Sequence, residues 1–417
     1  MPVVFVHGNG DSAALWMTTI WRFESNGYDS SLLHAIDLTA PLAPQLDTAP
    51  EPNRSTTVDQ AAQLAAAVTR ALVASGAPRV ALVGSSRGGN TIRNFVRYGG
   101  GANAVARIVL CGTPNHGVFR SPQSIESEWN GEGRFLTRLN AGREIVEGPS
   151  WTTIRSDRND KYAQPPKPAG TDGSGPSVQN SGVESPALEG ASNVVLDGLD
   201  HREVAFHPRA FAVMYRAITG RAPETLDIVS EPAPVLDGVV SGVASGGPTN
   251  QPLGGVDVDV YEVDPDTGMR KGAAMHHRTT GADGRWGPFR ANAAAYYEFV
   301  ASASGYPTIH TFRTPFPRSS AVVHVRLAPM PEPVPTGGGL VILTRPRGYL
   351  GVGRDVFTFD GRAPADVRAG VPTVSTSTLV TPAGPATSVR VRLNDEALTV
   401  RTFPIADHHV VFAEFHH

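Results

Sequence analysis

The sequence predicts an α/β protein: a mostly parallel, doubly wound sheet followed by two small all-β domains. Two changes of pattern carry this expectation. Up to residue 220, short apolar runs alternate with stretches of helical period, as in a parallel sheet covered on both faces. Beyond Gly220 the chain turns to short alternating runs broken by Gly, Pro and Asp. The proline-stiffened stretch Met330-Pro331-Glu332-Pro333-Val334-Pro335 then divides the second half. The expected domains are 1–222, 230–332 and 338–417.

Val3-Val4-Phe5-Val6 is short, apolar and β-branched, hence a buried strand. Thr56 or Thr57 can cap a helix running to about Ser75, with Val58, Ala61, Ala62, Ala65, Val68 and Leu72 at helical spacing. Gly76-Ala77-Pro78 stops it, and residues 79–83 form the next strand. Residues 90–98 place Ile92, Phe95 and Val96 on one helical face. Further strands are expected at 107–111, 152–154 and 193–196. Ligands of such a sheet bind at the carboxyl ends of its strands. Residues 164–191 are mostly Pro, Gly, Ser, Thr and Asn and read as a surface excursion. In the second half, 256–260 and 323–327 alternate strictly and read as half-buried antiparallel strands.

Of 417 residues 40% are apolar and 18% charged, which excludes a wholly disordered chain. The 36 Lys and Arg do not outnumber the 39 Asp and Glu, so the electrostatic basis for a nucleic-acid partner is missing. No apolar stretch approaches the ~18 residues of a transmembrane segment. Cys111 is the single cysteine, so no intrachain disulfide can form. Met1-Pro2 leads directly into a core strand without a signal peptide. The expectation is a secreted or periplasmic protein whose export signal is absent, a cytoplasmic one being the alternative. The terminal Phe415-His416-His417 reads as a tag remnant. Oligomeric state is not legible.

The chemistry centres on Val83-Gly84-Ser85-Ser86-Arg87-Gly88-Gly89, which follows a strand and opens a helix. It fits G-x-S-x-G, whose glycines permit a sharp turn that projects the Ser86 hydroxyl into a cleft. A serine hydroxyl needs a base, and the base needs a carboxylate. In the order serine, acid, histidine, His7 and His116 come too early. His201, just beyond the strand at 193–196, is preferred over His207, which falls beside the following helix. Asp157 and Asp160 both lie on the loop after 151–155, and spacing does not separate them. The oxyanion donors expected are the backbone N–H groups of Arg87 and of Asn9 in the turn after the first strand. The Arg87 side chain reads as a surface or substrate-carboxylate contact without a committed role. Met275-His276-His277 lacks a third ligand at zinc-like spacing, so no metal or cofactor is expected.

Together these stretches resemble the α/β-hydrolase fold, specifically bacterial triacylglycerol lipases and their esterase relatives. His7-Gly8-Asn9-Gly10 is similar to the family's oxyanion loop, and Gly84 to Gly88 to its nucleophile elbow, with Ser85 where histidine is commoner. Gly112-Thr113-Pro114-Asn115-His116-Gly117 is similar to its Gly-Thr-Pro-x-x-Gly turn. Asp160-Lys161-Tyr162-Ala163-Gln164-Pro165 resembles its acid loop, which favours Asp160 over Asp157. The resemblance covers about residues 1–220. It implies ester hydrolysis through an acyl-enzyme on Ser86, His201 and Asp160, without a metal. Pro252 to Val258, Thr279 to Phe289 and Ser304-Gly305-Tyr306 are similar to carboxypeptidase-regulatory-like β-sandwiches, in which Trp286, Tyr296, Tyr297 and Tyr306 read as core rather than a polymer-binding face. The expected substrate is an apolar ester, a lipid or a polyester, with a lid between 118 and 149. The alternatives are an amidase or peptidase on the same fold and a surface-binding protein with an inactive hydrolase domain.

Overall fold

In the computed structural model, which describes residues 1–165 and 179–416, the chain forms two units. The first comprises Met1–Ile228 and Ala244–Asn250, the second Val229–Val243 and Gln251–His417. The middle of the stretch expected as a surface excursion, 166–178, lies outside the described residues.

The first unit is built on six parallel strands: β1 (Val3–Val6), β2 (Leu33–Ile36), β3 (Val80–Ser85), β4 (Val105–Cys111), β5 (Ser150–Arg155) and β6 (Ser192–Val195). Their order is β2-β1-β3-β4-β5-β6. Successive side chains of a strand face opposite sides, and the sequence uses both sides. Val3, Phe5, Ala81, Val83, Val109 and Cys111 enter one core, with Trp16, Phe23, Phe211 and Tyr215. Val4, Val6, Val80, Leu82, Ile108 and Leu110 enter the other, with Leu64, Val68, Ile92 and Phe95. Helices α1 (Met17–Ser25) and α6 (Pro208–Thr219) supply the first core; α2 (Thr57–Ser75) and α3 (Arg87–Tyr98) supply the second. Two further short helices, α4 (Arg134–Leu139) and α5 (Glu203–Phe206), lie in the loops after β4 and β6.

α2 starts as its sequence dictates. Thr56 accepts from the Asp59 N–H while the Asp59 carboxylate accepts from the Thr56 N–H, a reciprocal cap of the first turn. The strand order reverses at one place. The chain runs outward from β1 to β2, returns over α2 to β3 and then proceeds away through β4 to β6. β1 and β3 are therefore neighbours whose following loops diverge, the switch point at which doubly wound sheets leave a crevice.

In the second unit, β7 (Asp257–Val263), β8 (His276–Thr279), β9 (Tyr296–Ser302), β10 (Thr308–Arg313), β11 (Leu340–Thr344), β13 (Thr376–Val380) and β16 (His409–Glu414) make one seven-stranded sheet. Its order is β8-β7-β9-β10-β16-β11-β13. β12 (Phe357–Phe359), β14 (Ser388–Leu393) and β15 (Glu396–Arg401) form a separate three-stranded sheet. The stretches on either side of the proline-rich segment thus meet in one sheet, because β16 lies parallel between β10 and β11. Phe415 is buried in the core of this unit, and Arg347 Nε donates to the His416 carbonyl at 2.9 Å, so both residues are packed into the fold. Trp286 and Tyr297 are fully buried. Among the described residues no helix is long and apolar enough to cross a membrane, and no cluster of His, Cys, Asp and Glu could hold a metal ion.

Candidate active site

The β3–α3 junction turns directly from strand to helix at Ser86. Ser86 stands between strand and helix at φ 51° and ψ −121°, a region that non-glycine residues occupy at a cost of order 1–3 kcal/mol. Its environment enforces this. The Ser86 N–H donates to the Cys111 carbonyl at 2.8 Å, and the Ser86 carbonyl accepts from Gly89 N–H at 3.0 Å. A Cβ on Gly88 would lie 2.5 Å from the carbonyl oxygens of both Val6 and His7, so only glycine lets α3 begin against the end of β1. The helix starts at Arg87, three residues earlier than its apolar periodicity indicates.

The turn after β1 touches this elbow: a Cβ on Gly8 would lie 3.1 Å from Ser86 Cβ. The turn is pinned to the loop after β2. Gly10 N–H donates to the Pro41 carbonyl at 3.1 Å, and Asn9 Oδ1 accepts from Ala43 N–H at 2.9 Å. Buried His7 accepts from Leu38 N–H at Nε2, 3.0 Å, which leaves its Nδ1–H for the Gly8 carbonyl at 2.8 Å. The histidine that sequence order set aside is therefore a structural clamp. The Asn9 N–H has no acceptor among the described residues. As the first residue of α3, Arg87 contributes an N–H that lacks an intrahelical partner.

The Arg87 side chain is neither a surface group nor a substrate contact. It is buried in a two-pronged ion pair, Nε to Glu128 Oε1 at 2.5 Å and Nη2 to Oε2 at 2.8 Å. It also donates to the carbonyls of Ser55 at 2.5 Å and Pro41 at 3.3 Å. Burial pushes the Glu128 carboxyl above the usual range, and the Arg87 guanidinium opposes that shift.

The acid and histidine loops, after β5 and β6, are tied together. Asp157 Oδ2 accepts from Gly198 N–H at 3.2 Å, and the Ser156 hydroxyl donates to the Leu199 carbonyl. Although burial raises the Asp157 carboxyl, bonds from the Asn159 and Gly198 N–H groups more than offset it and hold it below its ordinary value. Asp200 and Glu203 cap one another's N–H groups at 2.7 and 2.9 Å, which fixes the turn carrying His201. Asp160, not Asp157, meets the imidazole: both its oxygens lie 2.9 Å from His201 Nδ1, and Oδ1 also accepts from Tyr162 N–H at 2.9 Å. Tyr162 packs edge-on against His201, ring centroids 4.6 Å apart.

His201 and Ser86 have a common neighbour at the end of β4. The Cys111 carbonyl receives the Ser86 N–H, and a Cβ on the next residue, Gly112, would stand 3.3 Å from His201 Nδ1. His201 Nε2 is buried and, among the described residues, has no hydrogen-bond partner, Ser86 Oγ included. Carboxylate contact at Nδ1 puts the proton on that nitrogen and leaves Nε2 a basic lone pair. His207 instead accepts from Arg209 N–H at the start of α6. His116 pairs with Glu144, Nε2 to Oε1 at 2.5 Å.

In the segment where a lid is expected, Phe119 and Trp129 are half-buried, while Phe135, Leu136 and Leu139 make a small core of their own. A cavity of about 600 Å³ lined by Asp47, Val58, Glu126, Phe135 and Arg138, among others, includes none of Ser86, Asp160 and His201.

Residues 2–162 match the palmitoyl protein thioesterase family, and residues 237–330 match the lipase C-terminal domain, over the stretch likened above to carboxypeptidase-regulatory-like sandwiches. The sheet topology is that of the α/β-hydrolase fold, and the two matched segments are similar to a hydrolase family and to a lipase C-terminal domain. Comparison with curated protein sequences returned no match. Among solved structures, the Bacillus licheniformis lipase BlEst2 is 21% identical, with 52% of this chain and 91% of that one covered and a TM-score of 0.37. Phospholipase PlaB from Legionella pneumophila is 12% identical over 79% of this chain and 94% of its own, TM-score 0.36. A monoacylglycerol lipase from Paleococcus ferrophilus is 13% identical over 52% and 94%, TM-score 0.34. None of these overlaps reaches a TM-score of 0.5.

Proposed function

We propose that the protein is a serine carboxylic-ester hydrolase acting on apolar esters through an acyl-enzyme. One observation carries the reading: a buried imidazole held at Nδ1 by Asp160, its Nε2 unpartnered among the described residues, beside the strand end that also fixes Ser86.

In this mechanism His201 Nε2 accepts the Ser86 proton as Oγ attacks the ester carbonyl. Asp160 keeps the proton on Nδ1 and stabilises the imidazolium. The oxyanion is received by the Asn9 and Arg87 N–H groups, whose donors are set in place before reaction. The imidazolium then protonates the leaving alcohol, and water repeats the sequence to release the acid. Nothing in these steps calls for a metal or cofactor.

The match over 2–162 makes long-chain thioesters a second acyl donor to test, since the same attack serves both. The C-terminal domain makes lipid aggregates and polyesters substrates worth comparing with soluble esters. The test is a p-nitrophenyl ester chain-length series with Ser86→Ala as control. Turnover that rises with acyl length and vanishes in the variant supports the reading; equal turnover by the variant overturns it.

A further inference from the structure

Residues Ala244–Asn250 are flanked in the chain by residues of the second unit, yet belong to the first. Their contacts are specific. Asn53 Nδ2 donates to the carbonyls of Ala244, Gly247 and Pro248 at 2.8, 3.2 and 3.1 Å, anchoring one end of the segment. At the other end the Asn250 N–H donates to the Thr39 carbonyl at 3.0 Å, and the Thr249 hydroxyl reaches the same carbonyl at 3.3 Å. The Asn250 side chain is buried, and its amide spans two loops. Nδ2 donates to the Asp11 carbonyl at 2.8 Å and the Leu38 carbonyl at 2.9 Å, with His7 Nε2 at 3.3 Å.

These two carbonyls belong to the loops after β1 and β2, and between them hangs the turn that carries the Asn9 N–H. An amide with two hydrogens fits two carbonyl acceptors; neither a carboxylate nor an apolar group can replace it. An oxyanion donor is effective only when held in place before charge develops. The turn is tied to the 38–43 loop through Gly10 to Pro41 and Asn9 to Ala43, and Asn250 adds a direct bridge from that loop, at Leu38, to Asp11.

We propose that Asn250 is a positioning residue for the oxyanion turn, so that hydrolysis by the first unit depends on a strap encoded among the residues of the second. The proposal rests on the hydrolase reading above. It also means that a chain ending near residue 220 lacks part of its own active-site support, whatever the second unit does.

The test uses the full chain as wild type, Asn250→Asp and Asn53→Ala. Ser86 is titrated with a fluorophosphonate so that kcat is expressed per competent site, and a trifluoromethyl ketone serves as the transition-state probe. Asn250→Asp keeps the shape and the backbone bond but turns oxygen toward both carbonyls. It should lower kcat per site by ~10–100-fold, below the 10²–10³ of deleting an oxyanion donor outright. KM should move less than about threefold, and affinity for the ketone should fall in step with kcat. Asn53→Ala, which loosens the far end of the strap, should shift the same two quantities in the same direction by a smaller factor, and it decides the matter if Asn250→Asp does not fold. Unchanged kcat per site in a folded variant overturns the proposal. So does a loss confined to the number of titratable sites, which would mark a merely structural residue. Absence of both labelling and turnover in the wild type is a different result: it removes the hydrolase reading itself.

Discussion

Replacing Glu128 with Gln tests whether Arg87, the residue after Ser86, is held by charge. Both partners of the Arg87–Glu128 pair are 3% exposed, and the contact is two-pronged. In Glu128→Gln the guanidinium stays buried with the Ser55 and Pro41 carbonyls but no counter-charge. Breaking a buried pair from one side costs about 3–5 kcal/mol. At roughly 2–4 °C per kcal/mol for a domain of this size, that lowers the first melting transition by about 6–20 °C. Differential scanning calorimetry of the full chain reads it directly. The companion Arg87→Met/Glu128→Gln should recover part of the loss, since the penalty lies in the unpaired charge rather than in a missing attraction. A Glu128→Gln melt within about 2 °C of wild type would refute the reasoning.

Three further outcomes follow from the same contacts. Asp160→Asn should leave the fold intact and lower kcat about 10⁴-fold, because the amide no longer holds the Nδ1–H tautomer, and steady-state kinetics with a loss below tenfold would contradict it. Gly88→Ala places a Cβ 2.5 Å from two backbone oxygens, so its melting temperature should fall by more than that of an exposed Gly→Ala control such as Gly272→Ala. In the second unit, burial alone would raise the Glu298 carboxyl, but its bonds with His310 and Arg270 hold it below the ordinary 4.5. A depressed carboxyl stabilises the fold above its unfolded value and loses that contribution as pH falls through the folded one. Melting temperatures taken from pH 5 downward should therefore drop more steeply in wild type than in Glu298→Gln; parallel curves would count against the assignment.

What the sequence reveals is what rests on local pattern. β1 coincides with its apolar run, and α2 with its Thr56 cap and Gly76 stop, because period and capping chemistry agree there. The elbow is legible because glycine spacing and the strand-to-helix context are both local features. β2 escapes notice: Leu33-His34-Ala35-Ile36 is short, only partly buried and sits at the edge of the sheet, so its apolar signal is weak. Asp160 could be separated from Asp157 by resemblance but not by spacing. The structure divides their labour, one carboxylate on the imidazole and the other across to Gly198. The Asp200-x-x-Glu203 cap has a spacing signature in the sequence, an acidic residue three positions before a glutamate. Asn250 had no sequence signal, since its partners lie more than two hundred residues away. The role of the Arg87 side chain, open between a surface and a substrate-carboxylate contact, is not legible because its carboxylate partner stands 41 residues further on, in a segment without periodic pattern.

The central claim is that the strained serine at the end of β3 is a nucleophile activated by residue 201. Intact-mass measurement and peptide mapping after exposure of the folded chain to a fluorophosphonate address it directly. The account predicts one adduct per chain, on Ser86, formed rapidly in wild type and far more slowly in His201→Ala. A folded wild-type chain that stays unmodified at Ser86, or reacts there just as fast without the imidazole, would contradict it.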